Sequence, residues 1–148
     1  MKEGRYVVDA SVAIKLFIDE PLSKEAEVLF SMLTGDEGSE FYVPDLFFIE
    51  CANVLWKHIK RFGYPEEKAC EDLAALKALS LASCTTGELM ADALTIAVAY
   101  DVTAYDACYV ALSRQLEVPF VTADERLARK MADTVPAVQW LGTLPFLS

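Results

Sequence analysis

The chain has 148 residues, 54% of them apolar, and 13 basic against 23 acidic side chains give a formal charge of −10. That length suits one α/β domain with a sizeable core, and the acidic balance argues against tight, nonspecific binding to nucleic acid. No uninterrupted apolar run reaches membrane-spanning length, and Asp9 and Lys15 interrupt the first apolar stretch too early for a secretory leader, so the expectation is a cytoplasmic protein without a membrane partner.

Along the chain, "RYVV" (Arg5–Val8) reads as a β-branched strand, followed by a helix over Ala10–Phe17. Pro21 and Ser23 introduce a second helix that Gly35 stops, and "TGDEGSE" is a polar loop. "FYV" is a brief strand ending at Pro44. The run "VPDLFFIECANVLWKHIKRFG" then forms a helix closed by Gly63, and Pro65 opens another that reaches Leu79. Leu79–Cys84 reads as a strand, and Thr86 and Thr103 cap the next two helices. "VPFVT" is the clearest strand, "DERLARKM" is helical and "AVQW" is the last strand. Short strands alternating with helices predict a parallel sheet covered on both faces, in a single domain over residues 1–148.

The cysteines Cys51, Cys70, Cys84 and Cys108 are widely spaced in apolar contexts, which predicts buried, reduced thiols and no zinc site. His58 is the only histidine, which removes paired-histidine hydrolysis and a His-rich metal centre; no G-x-S-x-G elbow accompanies it. The apolar surplus over the usual range predicts further buried surface, against a partner or in a homodimer.

Four acids stand out. Asp9 follows the first strand and Asp124 follows "VPFVT", and in open parallel sheets ligands bind beyond the carboxyl ends of the strands. Asp106 lies in the first turn of its helix. Each of these three also has a plain reading as a helix cap, with Asp106 closing a T-x-x-D variant of the capping box from Thr103. Glu50 is different. It sits too far inside its helix to cap it, among Phe47, Phe48, Ile49, Cys51 and Ala52. A helix apolar nearly all round is buried, and an unpaired buried carboxylate is costly. If the four acids meet, two carboxylates about 5 Å apart repel by roughly 3 kcal/mol at an effective dielectric near 20. A hard cation held by oxygen ligands, Mg²⁺ or Mn²⁺, resolves this. Ser11 and Thr122, each two residues from an acid, either orient water or metal or form local caps.

The blocks "VVDASVAIKLF", "VPDLFFIECANVLWK", "TAYDACYVALS" and "FVTADERLA" resemble, in order and spacing, those of the PIN-domain ribonucleases, and most of all the VapC-type toxins of toxin–antitoxin pairs. The likeness runs from about Tyr6 to Trp140. It implies a three-layer α/β/α sandwich with a mainly parallel five-stranded sheet, and Mg²⁺- or Mn²⁺-dependent cleavage of RNA to a 5′-phosphate and a 3′-hydroxyl. Asp9, Glu50, Asp106 and Asp124 match the family's catalytic and metal-binding acids, with Ser11 and Thr122 as supporting hydroxyls. The resemblance also implies a cognate antitoxin that wraps the toxin.

Lys57, His58, Lys60 and Arg61 form one basic patch, although cations at a helix C-terminus also complement its dipole. The rival readings are a catalytically degenerate PIN domain that binds RNA or protein, and a phosphohydrolase of the haloacid-dehalogenase type. The second needs an Asp where this chain has Ser11. A response-regulator receiver lacks its phosphoacceptor near Leu79–Cys84.

Overall fold

A computed structural model describes residues 4–35, 39–134 and 136–144. Five short strands, β1 (Arg5–Val8), β2 (Glu40–Pro44), β3 (Leu81–Cys84), β4 (Phe120–Thr122) and β5 (Val138–Trp140), form one sheet in the order β3-β2-β1-β4-β5. Every pairing is parallel. Between the strands run α1 (Ala10–Ala13), α2 (Ser23–Gly35), α3 (Leu46–Phe62), α4 (Glu66–Ala78), α5 (Thr86–Tyr100), α6 (Ala104–Leu116) and α7 (Glu125–Lys130).

The strand order dictates the layers. From β1 the chain steps outward through β2 to β3, then crosses back to β4 and continues the other way to β5. Right-handed crossovers put α1–α4 on one face and α5–α7 on the other. The packing agrees: α1 rests on α3, while α5 packs on α6 and α6 lies against β1 and β2. This is the expected three-layer α/β/α sandwich. The reversal of direction falls between β1 and β4, the kind of switch point where open parallel sheets bind ligands. Strand residues here are almost continuously apolar, as a sheet covered on both faces requires: Val7, Val8, Phe41, Val43, Phe120 and Val121 are all buried.

Several elements depart from the sequence expectation. The first helix is α-helical only through Ala13 and tightens into a 3₁₀ turn over Ile14–Leu16, closed by the bond from Phe17 N to the Ile14 carbonyl. Of the expected polar loop, residues 36–38 lie outside the described residues, while Thr34 and Gly35 still belong to α2. Thr86 does not cap α5; it is the first helical residue. Its N–H is satisfied from 41 positions earlier, by the Asp45 carboxylate at 3.1 Å. Cys70 is exposed, not buried, because α4 turns Ala69, Asp72 and Leu76 inward. The buried Asp72 accepts from the Tyr64 hydroxyl, which ties α4 to the turn after α3, and from the Lys68 ammonium one turn back on α4 itself.

The largest correction concerns α3. It is amphipathic, not buried all round. Only Phe47, Cys51 and Leu55, spaced by four, form its inner stripe, whereas Ile49 is 70% and Trp56 55% exposed. Gly63 ends it with φ +67°, a conformation that glycine adopts without a side-chain penalty.

Candidate functional site

The register of β1 on β4 pairs Val8 with Val121 and so places the residues that follow, Asp9 and Thr122, side by side. The Asp9 N–H bonds the Val121 carbonyl at 3.2 Å. The Asp9 carboxylate is buried, and the Thr122 hydroxyl donates to its Oδ2 at 2.7 Å. That hydroxyl also accepts from the Asp124 N–H at 3.1 Å, so one side chain ties the two acids at the switch point together. Ser11 works from the other side. Its N–H donates to Asp9 Oδ1 at 3.4 Å and its hydroxyl accepts from the Ala123 N–H at 3.1 Å, fixing the loop that carries Asp124. Both hydroxyls thus position acids and backbone.

The capping readings are realised as well. Asp9 is the N-cap of α1, and Asp124 caps α7 by accepting from the Leu127 N–H at 3.1 Å. Thr103 accepts from the Asp106 N–H at 3.1 Å. Capping fixes the Asp9 and Asp124 carboxylates and leaves oxygen lone pairs to face the cleft.

Glu50 enters from α3 and Asp106 from the first turn of α6, one from each helical layer. Together with Asp9, Asp124, Asn53, Lys57 and Tyr105 they line a cleft of ≈ 580 Å³. Glu50 is half-buried at its edge and not enclosed in the core. Its Oε1 accepts a hydrogen bond from the Tyr109 hydroxyl at 2.6 Å. Tyr109 is fully buried on α6 and stacks flat on Phe120 of β4, with ring centroids 5.2 Å apart. Sequence reasoning missed Tyr109, although it lies three residues after Asp106 and thus on the same helical face.

Electrostatics mark the four acids as one system. Burial pushes the Glu50 carboxyl up to about 7, against the pull of the Tyr109 hydrogen bond, with Asp9 and Asp106 adding repulsion. Burial raises Asp106 to about 6, and Asp9 and Asp124 repel it further. Burial also raises Asp9, partly offset by the Thr122 and Ser11 hydrogen bonds. Among the described residues none of the four acids takes part in an ion pair. Arg126 lines an adjoining cavity that shares Asp106 and Asp124.

The donor chemistry fits a hard cation: four carboxylates, no thiolate or imidazole, and no cationic side chain paired with them. The spacing is looser than the sequence expectation. Among the described residues no three acid, histidine or cysteine side chains stand close enough to form a preassembled ion cage. Mg²⁺ keeps several of its waters and takes few carboxylates directly, so a dispersed set of oxygens suits it better than a closed shell.

A PIN-domain family model matches residues 6–132. The chain belongs to the PIN-domain family. Ribonuclease VapC3 of Pyrobaculum aerophilum is 37% identical over 130 residues, covering 85% of this chain and 94% of that protein. Two crystal structures share the PIN fold. PAE2754 from Pyrobaculum aerophilum superimposes with a TM-score of 0.66 at 23% identity, over 95% of this chain and 89% of that one. Mycobacterium tuberculosis VapC20, a sarcin–ricin-loop-cleaving toxin, gives 0.63 at 15% identity, over 84% and 93%. In this PIN domain the turn after β1, α3, α6 and the turn after β4 each deliver one acid to the cleft.

Proposed function

We propose that this PIN domain is a cytoplasmic, Mg²⁺- or Mn²⁺-dependent endoribonuclease, the toxin of a toxin–antitoxin pair. The observation that carries the reading is that Asp9, Glu50, Asp106 and Asp124 line one cleft at the sheet's switch point and, among the described residues, form no ion pair. The likeness to a VapC ribonuclease supports the choice of RNA over other phosphodiesters.

Asp9, Asp106 and Asp124 would hold the cation, directly or through water. Such an ion, when bound, lowers the pKa of a coordinated water and neutralises charge on the phosphate. Thr122 holds the Asp9 carboxylate and, with Ser11, the backbone at Ala123 and Asp124, while the Leu127 N–H holds the Asp124 carboxylate, so that neither acid swings away when a phosphate approaches. Without a cation, burial holds the Glu50 carboxyl up at about 7, and Tyr109 fixes its orientation. As an oriented carboxylate at the edge of the acid cleft, it is placed to position the attacking water and accept its proton.

A groove of ≈ 490 Å³ between α3 and α4, lined by Phe48, Ala52, Leu73 and Leu76 among others, supports an antitoxin seat. On the opposite layer Met90, Leu94 and Val98, spaced by four on α5 and 63–77% exposed, support a homodimer face. Among the described residues no helix is long and apolar enough to cross a membrane.

The test is incubation of the pure protein with an RNA pool, with and without Mg²⁺ or Mn²⁺. Metal-dependent fragments that disappear in Asp9→Asn support the enzyme. Absence of any metal-dependent product supports a PIN domain that only binds RNA or protein.

A further inference from the structure

The net charge of −10 leaves open how an RNA strand is held at an acidic cleft. The outer surface of α3 bears on this. At 3.6 residues per turn, Ile49, Asn53, Trp56, Lys57 and Lys60 fall within about 100° of its circumference, with Glu50 and Arg61 at the edge. Asn53 and Lys57 line the cleft with the four acids. From Glu50 to Arg61 the stripe runs about 16 Å along the axis, room for a few nucleotides. Trp56 stands 55% exposed within it. Tyr105, 65% exposed, stands on the facing wall beside Asp106.

Among the described residues Lys57, Lys60 and Arg61 take part in no ion pair. The helix dipole accounts for Lys60 and Arg61 in the last turn, but its influence fades within that turn, and Lys57 lies before it. His58 does not join them. Its Nδ1 lies 3.0 Å from the Val54 carbonyl, and its ring faces Phe62 and Tyr64 on the other side of the helix.

Resting on the ribonuclease reading, we propose that this stripe is a track for single-stranded RNA, with Lys57, Lys60 and Arg61 on successive phosphates and Trp56 stacking on an unpaired base. Cations free of acidic partners, next to a flat exposed aromatic, are the elements from which sequence-tolerant single-strand grooves are built. Continuity with the acid cleft selects RNA over a protein occupant, because a strand on the track enters the cleft at Lys57 and Asn53.

The test is fluorescence anisotropy of a labelled 12-nucleotide single-stranded RNA of mixed sequence, in EDTA so that no cleavage intervenes, across a range of salt. Lys57→Ala/Lys60→Ala/Arg61→Ala is expected to lower the slope of log affinity against log salt by about 2. Trp56→Ala is expected to weaken binding between about fivefold and a hundredfold, and Trp56→Phe to retain most of it. Tryptophan fluorescence in a Trp140→Phe background is expected to be quenched by the RNA. All the substituted side chains but Trp140 are exposed, and circular dichroism verifies the fold. An unchanged salt slope, no quenching, or no binding by the parent chain overturns the track. So does a result in which these variants lose a protein partner and keep RNA. Because binding is read without turnover, a parent chain that binds as described and fails to cleave with metal refutes the ribonuclease reading and leaves the track standing.

Discussion

The hydroxyl of Tyr109 donates to Glu50 across 59 positions of sequence, at 2.6 Å, and joins the two helical layers above the end of the sheet. Tyr109→Phe keeps the ring stacked on Phe120 and removes only the donor. The loss is expected to cost about 1–2 kcal/mol and to push Glu50 further up, since the hydrogen bond favours its charged form. Carboxyl-carbon NMR of the metal-free protein reads the shift; an unchanged Glu50 titration contradicts it.

Glu50→Gln is expected to lower cleavage by about a hundredfold or more, the usual scale for losing a general base. The fold should survive, because the amide carbonyl still accepts from Tyr109 and a repelling charge is gone. Thermal melting in EDTA at pH 8 should show an equal or higher midpoint. Severe unfolding contradicts the assignment.

Metal-free stability should fall as pH rises. Glu50 moves from an ordinary 4.5 to about 7 in the folded chain, and Asp106 from 3.8 to about 6. A carboxyl that holds its proton more tightly when folded favours folding fully below its unfolded value and loses that contribution as pH passes its folded value. The window is therefore about pH 4–7. Urea unfolding in EDTA should show the decline, and Glu50→Gln/Asp106→Asn should flatten it. Added Mg²⁺ should offset it most at the upper end, because ligands must be deprotonated. A decline insensitive to both the double variant and Mg²⁺ counts against a shared acidic site.

Thr122→Val preserves shape and removes the hydroxyl that bridges Asp9 and Asp124. It leaves one buried carboxylate oxygen and one N–H with a lost partner, at a cost of about 2–4 kcal/mol. Denaturant midpoints and Mn²⁺ affinity by electron paramagnetic resonance should both drop, and Thr122→Ser should restore them. A drop in stability alone would assign Thr122 to the fold and not to the site.

The parts of the structure readable in the sequence are those governed by neighbours. Thr103 and Asp124 cap the helices they precede, and Gly63 stops α3, because capping is settled within a few residues. The strands lie within one or two residues of their expected limits for the same reason: β-branched and aromatic residues between turn signals define all but β3, whose run Leu81–Cys84 has neither. Glu50 is less buried than its apolar neighbours predict, because hydrophobicity does not tell a core face from an exposed apolar one. Phe48, Ile49 and Trp56 read as core and are exposed.

By itself, the sequence determined the alternation of strands and helices, the four candidate acids along them, and the oxygen-only chemistry those acids allow. Only the tertiary structure decided that β1 pairs with β4, so that Thr122 bridges Asp9 and Asp124, that Tyr109 reaches Glu50, and that Asp45 caps α5 from a distant turn. Local propensity is set by residues within a helical turn, whereas these contacts depend on strand order and register, which bring together groups 41 to 113 positions apart.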